Sequence, residues 1–168
     1  LAEKNYTIII HGKPEHEETK ATFSNFSPEI PRIIIKNIQE ATLLSKYILE
    51  EKEKDFEKLF KGRISENFDL KEDFKKIGVI NQTTMLAEET QEISYFFEKI
   101  MEKKYGKENA KNHIANTRDT LCYATNENQS SIKQLIDLDI DLAFITGGYN
   151  SSNTSQLVKI CENYFKTY

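Results

Sequence analysis

The sequence has only two cysteines in 168 residues, Cys122 and Cys161, and they stand far apart with no Cys-x-x-Cys spacing. That excludes a disulfide framework and a self-contained zinc site, and a reducing compartment fits best. No apolar run approaches the roughly 20 residues that a membrane span needs. The opening LAEKNYT also lacks the charged-then-apolar layout of a signal peptide. The chain therefore reads as soluble, with no membrane partner. Basic charge is not in excess: 23 Lys and Arg against 27 Asp and Glu leave a formal net charge of -4. No field that draws a phosphate backbone follows from that balance, so nucleic acid is not an expected partner. Internal repeats and proline-rich linkers are absent as well. An initiator methionine is missing before Leu1, and the closing KTY follows a helical pattern still running, so both ends are expected to be cut or processed, with sequence missing beyond them.

A 38% hydrophobic content allows one globular body or two small ones. Short runs rich in isoleucine and valine alternate with stretches whose apolar residues recur every three or four positions, which is the strand-then-helix pattern of an α/β protein. Four strands are predicted at Tyr6–Ile10, Arg32–Lys36, Ile77–Asn81 and Leu142–Thr146, apolar almost throughout as buried parallel strands are. Amphipathic helices are predicted at Ile38–Asp55, with Ala41, Leu44, Ile48 and Phe56 on one face, and at Leu86–Lys104, with Ile93, Phe97, Ile100 and Met101. Two more follow from Ile132, Leu135 and Ile136, and from Leu157, Ile160, Cys161 and Tyr164. The charge runs EEKEKDFEK and MEKKYGKENAK read as solvated helix faces. A boundary is expected at Asn116–Asp119, giving bodies at 1–118 and 119–168.

Polar residues gather just after the apolar strands, where open parallel sheets bind ligands. One cluster is HGKPEHEET, which places His16 and Glu18 two residues apart, as a donor and a proton source for a substrate hydroxyl. The plainer reading of EHEETK is an acidic helix start that suits the dipole. His11 and His16 lack a third ligand for zinc. A second cluster, NQTT, offers a helix N-cap or, through Thr83, a hydroxyl that positions a proton. The third, GGYNSSNTS, has two glycines for a sharp turn and Ser151, Ser152 and Asn153 at a helix start. Such a start binds anions or is simply capped. Cys122, in the polar DTLCYAT, reads either as a thiolate metal ligand or as core packing, the default for a lone cysteine, and Cys161 on an apolar helical face fits that default.

Taken together, IIIHGKPEHEETKAT, IIIKNIQEAT, GVINQTTMLAEETQEI, DTLCYAT and GGYNSSNTSQL resemble the hydroxymethylbutenyl diphosphate reductase (LytB) family, in the right order over nearly the whole chain. The likeness is to its plastid and cyanobacterial branch. The resemblance implies a [4Fe–4S] enzyme that removes the hydroxyl of 4-hydroxy-3-methylbut-2-enyl diphosphate as water with two electrons, giving isopentenyl and dimethylallyl diphosphates. It implies three α/β domains set like a trefoil around the cluster, with residues 1–118 most of the second and 119–168 the first part of the third.

By matching position, Cys122 would be one of three cysteines on the cluster. His16 would contact the substrate, and Glu18 would supply the proton, with Glu17 as its competitor. Thr83 would bond to the reacting hydroxyl and to that glutamate. Ser151, Ser152 and Asn153 would hold the diphosphate. The family's other two cluster cysteines, two histidines and last diphosphate serine fall outside the chain, Cys161 matches none of them, and Asn128 replaces a common arginine. The implied partners are a ferredoxin-type electron donor and the missing segments of the same protein, and the chain alone is expected to be inactive. The implied location is a plastid-like organelle or a bacterial cytoplasm, with the asparagine-, lysine- and isoleucine-heavy composition hinting at an apicomplexan. The alternatives are a non-redox α/β phosphate-binding module and an inactive fragment.

Overall fold

The computed structural model describes residues 5–50, 54–115 and 123–168. The boundary expected at Asn116–Asp119 and Cys122 both lie outside them. The chain divides into two compact units, Leu1–Gln82 with Glu88–Asp119, and Thr83–Ala87 with Thr120–Tyr168. The NQTT segment is therefore split between units after Gln82.

The first unit is built on three parallel strands in the order β2-β1-β3. These are β1 (Thr7–His11), β2 (Arg32–Ile35) and β3 (Ile77–Asn81). In register, the last residue of β1, His11, lies opposite Ile35 on one side and Asn81 on the other. Alternation along a strand sends Ile9 to one face and Ile8 and Ile10 to the other, and both faces are covered. Ile9 joins Ile33, Ile35, Leu44, Ile48, Ile77, Val79, Ile93, Phe97 and Met101 in the main core. Ile8, Ile10 and Ile34 pack with Phe23, Phe26, Ile30 and Ile80. With both faces buried, the run of isoleucines is what such strands require.

Helices α1 (Glu17–Ser24), α2 (Ile38–Glu50) and α5 (Ala87–Tyr105) flank this sheet. The start of α2 is fixed by Asn37, whose Oδ1 accepts the Glu40 N–H at 3.0 Å, while the Glu40 carboxylate reaches back to the Lys36 N–H at 2.9 Å. That reciprocal arrangement satisfies donors that a helix start leaves open. The predicted continuation of α2 to Asp55 is not found. Asp55 has a left-handed φ of 66° and precedes a separate short helix, α3 (Phe56–Leu59). Helix α4 (Leu70–Asp73) follows. Phe56, Phe60, Phe68 and Phe74 form a ring cluster beneath these turns, with centroids 5.0–6.2 Å apart, a spacing at which aromatic pairs attract.

The second unit contains α6 (Tyr123–Leu135), β4 (Leu142–Ala143), α7 (Ser152–Glu162) and β5 (Lys166–Thr167), the two strands pairing in parallel. Two predictions are corrected here. The apolar run Leu142–Thr146 forms strand only over Leu142–Ala143, which pair with Lys166–Thr167, although the Ile145 N–H still reaches the Tyr168 carbonyl at 2.8 Å, and Phe144 is exposed. The helical pattern does not run to the end of the chain. Asn163 closes α7, Phe165 turns back to bond the Cys161 carbonyl and packs beside that core, and β5 follows. The core of this unit is Ile132, Ile160 and Cys161.

Replacing Ile9 by alanine removes a fully buried side chain from the middle strand, and should cost about 2–5 kcal/mol, against roughly 1 kcal/mol for valine. Leu59→Ala, at a position 42% exposed, should change stability by less than about 0.5 kcal/mol. Urea unfolding midpoints of the three variants check this ranking.

Candidate functional site

The carboxyl end of the three-stranded sheet gathers polar groups because the strands themselves have no room for them. The first is Gln82, which directly follows β3 and is 1% exposed. Its N–H donates to the His11 carbonyl at 2.8 Å, continuing the ladder by one residue. Its side-chain Oε1 accepts from the Lys13 N–H at 3.1 Å and from the Thr19 hydroxyl at 3.0 Å. One carboxamide thus ties the β1–α1 loop and the first turns of α1 to β3. Gly12 is required by this clamp, since a Cβ there would stand 2.6 Å from Thr19 Oγ1 and 3.0 Å from Gln82 Cβ.

This clamp holds the His16–Glu18 corner. His16 is the N-cap of α1, its Nδ1 accepting the Glu18 N–H at 3.2 Å. Glu17 and Glu18 occupy the first turn, so the plainer reading of EHEETK also describes what this segment does. The two glutamates differ in setting. Glu17 is exposed and bonded to Lys20 at 2.8 Å, and that hydrogen bond, with the lysine's charge, holds its carboxyl below the usual range. Glu18 is half-buried.

His11 is fully buried. Its Nδ1 lies 3.1 Å from Thr90 Oγ1, and its Nε2 lies 3.9 Å from Glu89 Oε1, both on α5. Burial pushes its pKa from the ordinary 6.5 down to about 4, so the ring is neutral at physiological pH.

In the second unit, Thr83 and Thr84 are half-buried in the turn between β3 and α5. The first N–H of α5 is also served from a distance. The Ala87 N–H donates to Gln129 Oε1 of α6 at 3.1 Å, and Gln129 Nε2 donates to the Met85 carbonyl at 3.1 Å. Ser151 is the N-cap of α7, accepting the Thr154 N–H at 3.2 Å. Ser152 is buried and Asn153 half-buried, and no acidic residue stands in the first turn. Gly147 lets the loop pass against Thr154, where any Cβ would collide with the threonine side chain. Asn153 Oδ1 and Gln156 Oε1 are buried without hydrogen-bond partners. The start of an 11-residue helix, with hydroxyls, a carboxamide and no nearby carboxylate on its own first turn, suits an anion. The same Ser151 serves as its cap.

Among the described residues, no group of three His, Cys, Asp or Glu side chains could hold a metal ion. Cys161 is buried in the second unit's core and burial raises its thiol pKa, which does not suit a thiolate ligand. Cys122, the other cysteine, lies outside the described residues.

A family model described as LytB protein matches residues 1–168. The chain belongs to the LytB family. Among curated relatives, the 4-hydroxy-3-methylbut-2-enyl diphosphate reductase of Prochlorococcus marinus subsp. pastoris is 43% identical over 159 residues, covering 94% of this chain and 39% of that protein. The protein of the same name from Gloeothece citriformis is 43% identical over 158 residues, 94% of this chain and 38% of its own length. The chain thus spans about two fifths of the length of these LytB relatives. The solved E-1-hydroxy-2-methyl-but-2-enyl-4-diphosphate reductase from Plasmodium falciparum superposes with a TM-score of 0.65 at 22% identity, over 99% of this chain and 41% of that one. That likeness is one of fold: α/β, with parallel strands and flanking helices. Gln82 and Gln129 are the organising residues that the sequence reading missed. A glutamine directly after a buried strand was the available signal for Gln82.

The His11 imidazole gives a testable pH dependence. The folded ring resists protonation down to about 4, whereas an unfolded one takes up a proton near 6.5. Acid therefore favours the unfolded chain between those values. Stability that His11 contributes above pH 6.5 is lost as pH falls towards 4, at about 1 kcal/mol per pH unit. Urea unfolding across that window should show a steeper loss for the wild type than for His11→Asn, and parallel curves would contradict the buried neutral ring.

Proposed function

We propose that this chain is a portion of a 4-hydroxy-3-methylbut-2-enyl diphosphate reductase, an oxidoreductase of the non-mevalonate route to isoprenoid precursors. The observation that carries the reading is the 43% identity, over 94% of the chain, to a protein of that name. The reaction removes the substrate hydroxyl as water while two electrons and two protons are taken up, giving isopentenyl or dimethylallyl diphosphate. In this reading Glu18 supplies a proton at the departing hydroxyl, and Thr83 orients that hydroxyl. Glu18 is preferred to Glu17 because it is half-buried and keeps the His-x-Glu spacing from His16, whereas Glu17 is exposed. His16 contacts the substrate while capping α1. Ser151, Ser152 and Asn153 receive the diphosphate at the start of α7, where the helix dipole favours its charge.

The same reading assigns Cys122 to a [4Fe–4S] cluster whose other two cysteine ligands lie in segments outside this chain, with a ferredoxin-type protein as electron donor. A bound cluster would supply the electrons. The two units would then be most of the second domain and the first part of the third in a trefoil of three. The cyanobacterial relatives support a plastid-like organelle or a bacterial cytoplasm as its location, and the asparagine-, lysine- and isoleucine-rich composition leads us to an apicomplexan source. A non-redox phosphate-binding module is the competing reading, in which the helix start at Ser151 would hold an anion without redox chemistry. Iron and sulfide analysis of the full-length protein purified without oxygen separates the two, since the module would carry neither.

In the full-length enzyme, Glu18→Gln should lower kcat by about 10²–10⁴ with little change in KM; unaltered turnover would remove Glu18 from the proposal. The double substitution Ser151→Ala and Asn153→Ala should weaken pyrophosphate inhibition by tenfold or more, each lost hydrogen bond to a charged group being worth about 1.5–3 kcal/mol. Unchanged inhibition would rule out the anion site. The 168-residue chain on its own should show no turnover of the substrate.

A further inference from the structure

His11 ends a strand that otherwise reads Thr-Ile-Ile-Ile, in a position with no solvent access. A fourth apolar residue would fill that position without burying a polar ring. Placing an imidazole there costs free energy unless its nitrogens are used. One nitrogen is used: Nδ1 meets the Thr90 hydroxyl at 3.1 Å. The other, Nε2, faces the Glu89 carboxylate at 3.9 Å, and the Lys36 backbone beside the ring also favours a proton on it. A lone pair on Nε2 facing a carboxylate would be repelled, so the favoured tautomer carries its proton on Nε2 and accepts the Thr90 O–H at Nδ1.

The main chain of His11 leads directly to the proton-donor corner. Its carbonyl accepts the Gln82 N–H, and the next N–H, of Gly12, donates to the Ile35 carbonyl at 3.0 Å. Lys13 is then held by Gln82, and its carbonyl accepts the His16 N–H at 3.0 Å. Main-chain bonds fix this end of β1 to β2 and β3. The imidazole adds what they do not supply, a bond to α5.

We infer that His11 is a positioning residue, whose bond to Thr90 locks the end of β1 onto α5 and so fixes where the His16–Glu18 loop stands. The inference rests on the reductase reading for its consequence, though not for its geometry. Its action is indirect: His11 touches no substrate, and its loss shifts the loop. A displacement of about 1 Å at a reacting group is enough to reduce turnover up to 10²-fold.

The test uses the full-length protein with Thr90→Val, which keeps the shape and removes the hydroxyl, and with Thr90→Ser, which restores it. Steady-state kinetics with 4-hydroxy-3-methylbut-2-enyl diphosphate is paired with hydrogen–deuterium exchange of the Lys13–Thr19 segment. Thr90→Val should lower kcat about tenfold or more, leave KM and pyrophosphate inhibition within about twofold, and raise exchange in that segment; Thr90→Ser should reverse all of it. A kcat loss accompanied by an equal loss of pyrophosphate affinity marks general destabilisation and overturns the inference. So does raised exchange with undiminished kcat, or unchanged exchange. If the wild-type protein does not turn over the substrate, the reductase reading fails. The exchange data then decide the lock by themselves, an unchanged Lys13–Thr19 segment in Thr90→Val refuting it.

Discussion

Strand β1 is hydrogen-bonded on both edges and packed on both faces, and most other features of the first unit follow from that constraint. Its residues Ile8, Ile9 and Ile10 have no solvent access, so no polar side chain on this stretch can reach a ligand. Chemistry is displaced to the place where the ladder stops. There the main-chain groups of His11, Gly12 and Lys13 need partners, and Gln82 and Ile35 provide them. A loop pinned this tightly can present His16 and Glu18 in a fixed attitude, which is what proton transfer to a small substrate demands. The rigidity comes from satisfying buried polar groups, and the orientation of His16 and Glu18 is its by-product.

The strands of this unit were legible because a strand buried on both faces leaves an uninterrupted apolar run, and three such runs stand in the first 81 residues. The long helices were legible from apolar spacing alone. What could not be read were bonds between residues distant in sequence. Gln82 serves Lys13 and Thr19 across more than sixty positions, and Gln129 caps Ala87 across 42; neither leaves a local pattern. Helices α3 and α4 are single turns whose Phe56, Phe60 and Phe74 are placed by ring packing with one another, so helical periodicity has too few residues to register. Strand β5 is equally short. At the candidate site, the residue types and their place after strands were readable, whereas the split of NQTT between two units was not.

Several of these side chains carry two duties at once. Ser151 caps α7, and the hydroxyl that serves Thr154 is the same group the diphosphate reading needs nearby. His16 likewise spends Nδ1 on the Glu18 N–H. Capping and binding are compatible because a cap uses one acceptor of the side chain, leaving further capacity on a hydroxyl or on the opposite nitrogen. Such a cap also orients the side chain it uses, so the local economy of helix ends and the geometry of a ligand site reinforce one another.

The two units differ sharply in what holds them. The first has a continuous core running from Ile9 through Phe97 to Ala110, together with a second layer on the other sheet face. The second has Ile132, Ile160 and Cys161 buried, with Leu86, Ala143, Ile145, Leu157 and Phe165 partly covered around them. Leu138, Phe144, Tyr149, Tyr164 and Tyr168 stay exposed. A core of that size contributes less than the first unit's, since stabilisation follows the apolar area removed from water. Its strands pair over two residues each, whereas strands in sheets commonly run to about five residues. In the proposed reading the diphosphate meets this less deeply packed unit, where the Ser151 cap and the close approach of Gly147 to Thr154 are what stiffen the start of α7.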